Sequence, residues 1–324
     1  MKFIELKKEL ENKVCPAYLI SGNDRFLCYS ALDLIKKAAN ISLSDLNEVV
    51  IAGENCTLDD IVKSASVFPF VDAYRLVQVN NFSAKAKEKN NVLSEYLKNP
   101  LESTILVFFN LEANDAIKPF MDKIVHIDCD KLDVNTIARV VKTKAKQSGT
   151  EIEDQAIEKL ILYCNNDMAR ITSELEKLIC YASDKQIREQ DVMDLVEQDK
   201  EYQVFELSEF IAKGNKEKAL DLVYTICNDS RGTFSLLTPL YNSYKRALYV
   251  AVNKDKTDSE LASLLGIKEY AVKMSKNQAR AYNPKKLKQI VDMLYEADRN
   301  IKMGKINDQI AIKTVVLNIL KIRG

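Results

Sequence analysis

The stretch YLISGNDRFLCYSALDLIKKAAN, which begins at Tyr18, has the order of an apolar strand, a turn at Gly22 and an amphipathic helix. This order is typical of a nucleotide-binding loop in an α/β domain. The pattern G-x-x-x-x-G-K-[ST] needs a second glycine for amide contacts, a lysine for the phosphates and a hydroxyl for Mg²⁺. Counted from the first glycine, those three places hold Leu27, Cys28 and Tyr29. The sequence therefore predicts a degenerate P-loop without nucleotide.

The ends of two later apolar stretches also lack the groups that an ATPase needs. Acidic residues after a strand would hold Mg²⁺ and polarise water. The stretch LVQV is followed by Asn80 and Asn81, and LVFF is followed by Asn110. We therefore expect no catalytic residues and no cofactor. A divergent NTPase remains open as an alternative, and it would require nucleotide binding by the isolated chain.

A second candidate site is TLDDIVKSASVFPFVDAYRLVQV, a predicted helix followed by an apolar cluster. Thr57 and Asp60 have the spacing of a capping box, and the helix must end before Pro69, because proline restricts the residue before it. The apolar cluster at this helix end consists of Val67, Phe68, Pro69 and Phe70. Such a cluster is either core packing or a stiff docking knob, and the residues alone favour core packing.

A third candidate, TDSELASLLGIKEYAVKMSKNQAR over residues 257–280, has the cadence of a helix-turn-helix. Its second helix carries the basic residues Lys268, Lys273, Lys276 and Arg280. Such a helix could enter a major groove, so a helix-turn-helix DNA-binding regulatory protein is the alternative function. Two packed helices with solvated charges are the other interpretation, and the net charge of zero favours it.

The remaining basic candidate is the loop NIKMGKIND, in which Lys302 and Lys305 are possible phosphate contacts. It follows a helix predicted to begin at Asn283 as N-cap, with Pro284 in the first helical position. A solvated turn explains the two lysines equally well.

Metal, redox and membrane signals are weak in this chain. The seven cysteines contain no C-x-x-C pair, and His126 is the single histidine, so we predict no metal site. His126 lies in a strand-like alternation without catalytic partners. The first 13 residues are charged and unlike a signal peptide, and no apolar run approaches the about 18 residues of a membrane span. These features predict reduced thiols, a cytoplasmic location and no membrane partner.

The elements that must position these residues change in type along the chain. The first third alternates predicted strands with predicted helices, which indicates a parallel sheet covered by helices on both faces. Strands are predicted at 17–21, 48–52, 74–79, 104–109 and 123–128, and helices at 24–39, 57–66, 84–98 and 113–121. Only helices are predicted afterwards, at 131–147, 154–164, 167–182, 189–197 and from about 203 to the end. The fold class is therefore α/β plus all-α.

In this order the features resemble the delta subunit family of the bacterial DNA polymerase III clamp loader. The resemblance rests on YLISGNDRFL, SVFPFVDAYRLVQV, NNDMARITSELEKL and the last third, from YQVFELSEFIAKGNKEKAL through EADRNIKMGKINDQIAI. It implies an AAA+-like parallel-sheet domain that binds the clamp, a small helical lid domain and a helical collar domain for oligomerisation. The implied bounds are 1–140, 141–200 and 201–324, and segment 257–280 becomes part of the collar.

The resemblance also implies a function. A member of this family is a non-ATPase subunit that binds the beta sliding clamp and helps to open it for loading onto primed DNA. The implied partners are the clamp-loader ATPase subunits and the delta-prime subunit in a hetero-pentamer, with primer-template DNA bound by the assembly. The family's clamp-binding motif falls on Val67, Phe68, Pro69 and Phe70, although relatives often have an aromatic residue where this chain has Val71. Lys302 and Lys305 are possible DNA contacts.

Overall fold

The computed structural model describes residues 1–83, 92–111, 115–182, 186–228, 232–267 and 269–323. Contacts divide the chain into two compact units, one formed by Met1–Ile157 and Asn166–Ile187, the other by Glu158–Asn165 and Arg188–Gly324. The first part of the predicted helix 84–98, the start of the predicted helix 113–121 and Lys268 lie outside the described residues. The bounds of the three predicted domains stay predictions.

The first unit contains a five-stranded sheet in which every pairing is parallel, in the order β2-β3-β4-β1-β5. The strands are β1 Ala17–Ser21, β2 Glu48–Ala52, β3 Arg75–Asn80, β4 Thr104–Asn110 and β5 Val125–Asp128. Strand β4 is buried along its whole length, and Leu19 of β1 lies opposite Phe108 of β4. A run of apolar residues suits a central strand because helices cover both of its faces.

The helices from the start of the chain to residue 182 lie at nearly the predicted positions, and the last six residues of the helix at Asp154–Tyr163 belong to the second unit. They are α1 Phe3–Asn12, α2 Arg25–Ala39, α3 Ser44–Asn47, α4 Leu58–Ala65, α5 Val92–Tyr96, a 3₁₀ helix at Asp115–Phe120, α6 Val134–Gln147, α7 Asp154–Tyr163 and α8 Met168–Ala182. Leu58 and Ile61 of α4 join the apolar core on one side of the sheet, together with Phe82 and Phe108. The four-residue helix α3 is absent from the predictions because it is too short to show a helical period.

The described part of the second unit is helical, as predicted. Its helices are α9 Glu189–Leu195, α10 Lys200–Lys213, α11 Lys216–Asn228, α12 Gly232–Val252, α13 Asp258–Leu265, α14 Glu269–Ala279, α15 Pro284–Lys302 and α16 Asp308–Arg323. Its main core runs from Val204 to Leu320 and includes the buried ring of Tyr244. The α15 N-cap is Asn283, as predicted, and its side chain accepts from the Lys286 amide at 2.8 Å. The predicted fold class, α/β plus all-α, is confirmed.

Candidate functional site

The loop after β1 follows the predicted strand–turn–helix order, but its backbone amides already have partners. The Asn23 amide donates to a carboxylate oxygen of Asp130 at 2.9 Å, and the Asp24 amide donates to the Cys129 carbonyl at 3.2 Å. A Cβ added at Gly22 would lie 2.2 Å from the Cys129 carbonyl carbon. The glycine therefore packs this loop against the chain after β5, whereas a phosphate-binding loop presents free amides to its ligand.

The start of α2 is capped by the chain's own carboxylate. Asp24 is the N-cap residue, and its side chain accepts from the Leu27 amide at 3.2 Å. Leu27 and Cys28 are buried, while the Tyr29 ring is half-exposed and lies 5.0 Å from the Phe109 ring. Carboxylates at a helix N-terminus use the same favourable field that would attract a phosphate, and they repel a second anion.

The two thiols beneath this loop affect each other. A hydrogen bond with Cys129 lowers the pKa of Cys28. The same contact, together with burial, raises the pKa of Cys129. Both thiols are fully buried, so they are packing residues of this loop.

The asparagines at the strand ends have structural partners. The Asn110 side chain accepts from the Phe82 amide at 2.9 Å and donates to the Phe82 carbonyl at 3.4 Å. The Asn80 side chain accepts from Gln78 Nε2 at 2.6 Å. The two Asn110 contacts hold the backbone that follows β3. Amide side chains with structural partners therefore stand at strand ends where an ATPase would carry a catalytic carboxylate.

His126 pairs with a neighbouring strand residue and not with a catalytic group. Its Nε2 lies 2.9 Å from the Ser21 hydroxyl, and burial lowers the pKa of its ring. Within the described ranges no cluster of three His, Cys, Asp or Glu residues could hold a metal ion. Over the same part of the chain, no helix is both long and apolar enough to cross a bilayer.

The apolar cluster at the end of α4 is exposed. The helix begins at a capping box in which the Thr57 hydroxyl accepts from the Asp60 amide. The Thr57 hydroxyl and the Thr57 amide in turn donate to the Asp60 carboxylate, and these bonds lower the pKa of Asp60. After α4, Phe68 is 72% exposed, Phe70 is 60% exposed and Val71 is 83% exposed. Val67 is also exposed, and Pro69 is partly covered. Core packing, which the residues alone favour, is wrong for both aromatic rings.

The Asn47 side chain, which the sequence analysis did not single out, forms hydrogen bonds with this loop. Asn47, at the end of α3, is fully buried, and it donates to the Phe70 carbonyl at 2.9 Å and accepts from the Phe70 amide at 2.7 Å. The only signal in the sequence is a polar residue immediately before the apolar strand EVVIA. That signal does not indicate which backbone groups the asparagine side chain hydrogen-bonds to.

The helix-turn-helix-like segment is a packed helical pair. Helices α13 and α14 share a small apolar core that includes Leu261 and Val272, and the turn between them contains Gly266 with φ +63°. Lys276 of α14 forms an ion pair with Asp258 at 2.5 Å. Lys273 and Arg280 are exposed. A DNA-binding helix would use its basic side chains in the major groove, but Lys276 is already paired with a carboxylate inside this helical pair.

The two lysines near the end of α15 differ in their contacts. Lys302 Nζ lies 2.6 Å from a carboxylate oxygen of Asp298, one turn earlier on the helix. Lys305 is exposed and follows Gly304, which has φ +68°. Both belong to the second unit, whereas the apolar cluster after α4 belongs to the first.

Three family models match successive parts of the chain. The family model for the DNA polymerase III delta subunit matches residues 18–129, and that for the C-terminal domain of the same subunit matches residues 201–319. A third family model, described as a middle domain, matches residues 135–194. The two delta-subunit matches together cover more than half of the chain.

A curated protein and a solved structure, both from Bacillus subtilis, are similar to this chain over almost their whole length. The DNA polymerase III subunit delta of strain 168 is 26% identical, and the similarity covers 99% of this chain and 97% of that protein. The solved structure of the DNA clamp loader delta protein has a TM-score of 0.82 and 23% identity, over 98% of this chain and 99% of that one. This second likeness concerns the fold.

Proposed function

Because this chain belongs to the DNA polymerase III delta-subunit family, we propose that it binds the beta sliding clamp within a clamp loader and helps to open it. The contact is made by Val67, Phe68, Pro69 and Phe70. The observation that supports this assignment is the exposure of both aromatic rings, 72% and 60%, at the end of α4. Proteins seldom leave large apolar side chains together in water unless a partner covers them.

The size of these side chains is adequate for a binding hot spot. Burial of one phenylalanine side chain contributes about 1.5–3 kcal/mol. Aromatic anchors that enter a partner's pocket commonly dominate the binding free energy of an interface. Two rings on a loop at a helix end therefore suit insertion into an apolar pocket of the clamp.

Clamp opening follows from differential binding. A subunit that binds the open clamp more tightly than the closed clamp shifts the equilibrium by the difference between the two binding free energies, and by no more. We assign no ATP hydrolysis to this chain, since Asp24 and Asp130 already engage the amides of its P-loop-like turn. ATP then acts in the neighbouring subunits of the loader.

The remaining partners follow from the same family assignment. We propose that the chain assembles with the ATPase subunits and the delta-prime subunit in a cytoplasmic hetero-pentamer, and that primer-template DNA meets the assembled complex. Of the two candidate DNA contacts, Lys302 already pairs with Asp298, so Lys305 is the better candidate. The packed pair α13 and α14 belongs to the collar.

The test is binding of the purified chain to its cognate sliding clamp. Phe68→Ala/Phe70→Ala should weaken the affinity by at least about 30-fold, since a hot-spot ring contributes about 2 kcal/mol or more. Tyr181→Ala is the matched control, because it removes a 62% exposed ring from α8. The control should bind as the wild type does, and circular dichroism should show that all three proteins fold.

Equal binding by the wild type and the folded double variant would exclude this site. If the free wild-type chain does not bind, the same comparison is repeated in the assembled loader with ATP. Absence of clamp binding there as well would contradict the proposed function.

A further inference from the structure

The loop that carries the two rings has an unfavourable backbone conformation. Val71 has φ +66°, a region that β-branched residues rarely enter. The Asp72 amide donates to the Phe70 carbonyl at 2.8 Å, which closes a three-residue γ-turn around Val71. Strained turns of this kind persist only where surrounding groups hold them. Contacts from outside the loop must therefore maintain its shape.

Asn47 supplies two of these contacts. Its side-chain amide donates to the Phe70 carbonyl and accepts from the Phe70 amide, so it pairs with one residue as a neighbouring strand would. It is fully buried, and it lies 23 positions before Phe70 in the chain. A rigid buried amide fixes the backbone from which the exposed Phe70 ring projects.

Asp72 joins the same group from the other end of the turn. Its carboxylate accepts from Asn47 Nδ2 at 2.7 Å, from the Leu43 amide at 3.0 Å and from the Ser42 amide at 3.2 Å. It also accepts from the Ser42 hydroxyl. These donors, the Ser42 hydroxyl first, lower the pKa of Asp72 to about 2, as expected for a carboxylate with several donors. Arg75 supports the same segment, because its guanidinium donates to the Leu46 carbonyl at 2.7 Å.

We propose that Asn47 and Asp72 are positioning residues for clamp binding, which hold the Phe68–Phe70 loop in its binding conformation before the clamp arrives. This inference rests on the proposed function. Neither side chain needs to touch the clamp, since both act through the backbone at Phe70. A loop that is already ordered loses less conformational entropy when it docks.

The expected size of the effect follows from the population of the competent loop. Apparent affinity falls in proportion to the fraction of molecules whose loop is competent. If loss of the polar group leaves about one molecule in ten competent, the Kd rises about tenfold. Asp72→Asn should do this, because a neutral amide oxygen binds the Leu43 amide and Asn47 Nδ2 more weakly than a carboxylate does, and because its NH₂ group replaces the oxygen that accepts from the Ser42 hydroxyl.

The experiment is a double-mutant cycle for clamp binding. The Kd of the full chain for its cognate clamp is measured for wild type, Asp72→Asn, Phe70→Ala and the combination, with Asn47→Ala as a second variant. Asp45→Asn is the control, since it removes an exposed carboxylate from α3 outside this polar group. We expect about tenfold weaker binding from Asp72→Asn in the wild-type background and less than about twofold in the Phe70→Ala background. The control should not change the Kd.

If Asp72 only stabilised the fold, the double-mutant cycle would give a different result. Global destabilisation would lower the melting temperature and weaken binding equally in both backgrounds, and that outcome overturns the inference. An unchanged Kd for Asp72→Asn in the wild-type background overturns it as well. If Phe70→Ala itself binds like the wild type, the Phe70 ring is not the anchor and the inference is overturned. Equal binding by Phe68→Ala/Phe70→Ala is the separate result that would exclude the proposed site.

Hydrogen exchange then tests the positioning role without the clamp. The Phe70 amide of the free chain should exchange at least about tenfold faster in Asp72→Asn and Asn47→Ala than in wild type or Asp45→Asn. Unchanged exchange at that amide would overturn the inference whatever the clamp does.

Discussion

At the residue scale, aspartate carboxylates accept hydrogen bonds from backbone amides at two places in the first unit, with a different consequence at each. Asp24 and Asp130 satisfy amides of the P-loop-like turn, so that anion-binding groups are already engaged. Asp72 accepts amides of another segment and thereby orders the loop with the exposed rings. In both places a side-chain carboxylate accepts hydrogen bonds from backbone amides of the chain itself.

A titration measures how firmly Asp72 is held. Nuclear magnetic resonance of the carboxyl carbon should give a pKa of about 2, and Ser42→Ala should raise that pKa toward the ordinary value of about 3.9. Because the folded-state pKa is the lower one, the contribution to stability is present above about pH 3.9 and is lost as pH falls through about 2. A wild-type pKa near 3.9 would mean that the Ser42, Leu43 and Asn47 donors do not hold this carboxylate in solution.

At the scale of elements, helix termini place the candidate residues. Helix α4 has Thr57 as its N-cap and Ser66 as its C-cap, so Phe68 and Phe70 come after its last turn. Helix α15 begins at the Asn283 cap and Pro284, and its last turn carries Lys302. The starts of both helices can be predicted from the sequence, because an N-cap side chain accepts from an amide only about three positions later.

Asn283→Ala should lower the free energy of unfolding by about 1 kcal/mol, since the Lys286 amide loses its acceptor. Urea denaturation of both proteins measures this difference. Gln289→Ala, at an exposed position in the middle of the same helix, should change the free energy by less than about 0.5 kcal/mol. Equal stability of Asn283→Ala and wild type would argue against a cap at this helix.

At the scale of the whole molecule, the candidate clamp contact and the all-helical core belong to different units. The helical core extends from Val204 to Leu320 and contains buried residues from α10, α11, α12, α15 and α16. The apolar loop after α4 is in the unit with the sheet. This division separates the proposed clamp-binding role from the proposed assembly role.

A fragment of residues 201–324 tests that separation. We expect it to fold as a helical domain with cooperative urea denaturation, because its core is made of its own residues. It should not bind the sliding clamp under conditions in which the full chain does. Clamp binding by this fragment with the affinity of the full chain would move the contact out of the first unit.

The sequence by itself predicted the five strands and most of the helices, and it predicted a P-loop that lacks the residues that bind a nucleotide. The five strands lie within about two residues of their predicted bounds, since continuous apolar runs and helical periods are local properties. The resemblance identified the family on four motifs, and the family matches agree with it. The P-loop positions Leu27, Cys28 and Tyr29 also needed only a count along the chain.

Only the tertiary structure decided which apolar residues face water and what holds them there. Phe68 and Phe70 have the composition of core residues, and their exposure depends on which elements cover the end of α4. The amide pair between Asn47 and Phe70 joins positions 23 residues apart, and the bond between Asn47 and Asp72 joins positions 25 apart. No local pattern encodes such pairings, because they form only when parallel strands bring separate loops to one edge of the sheet.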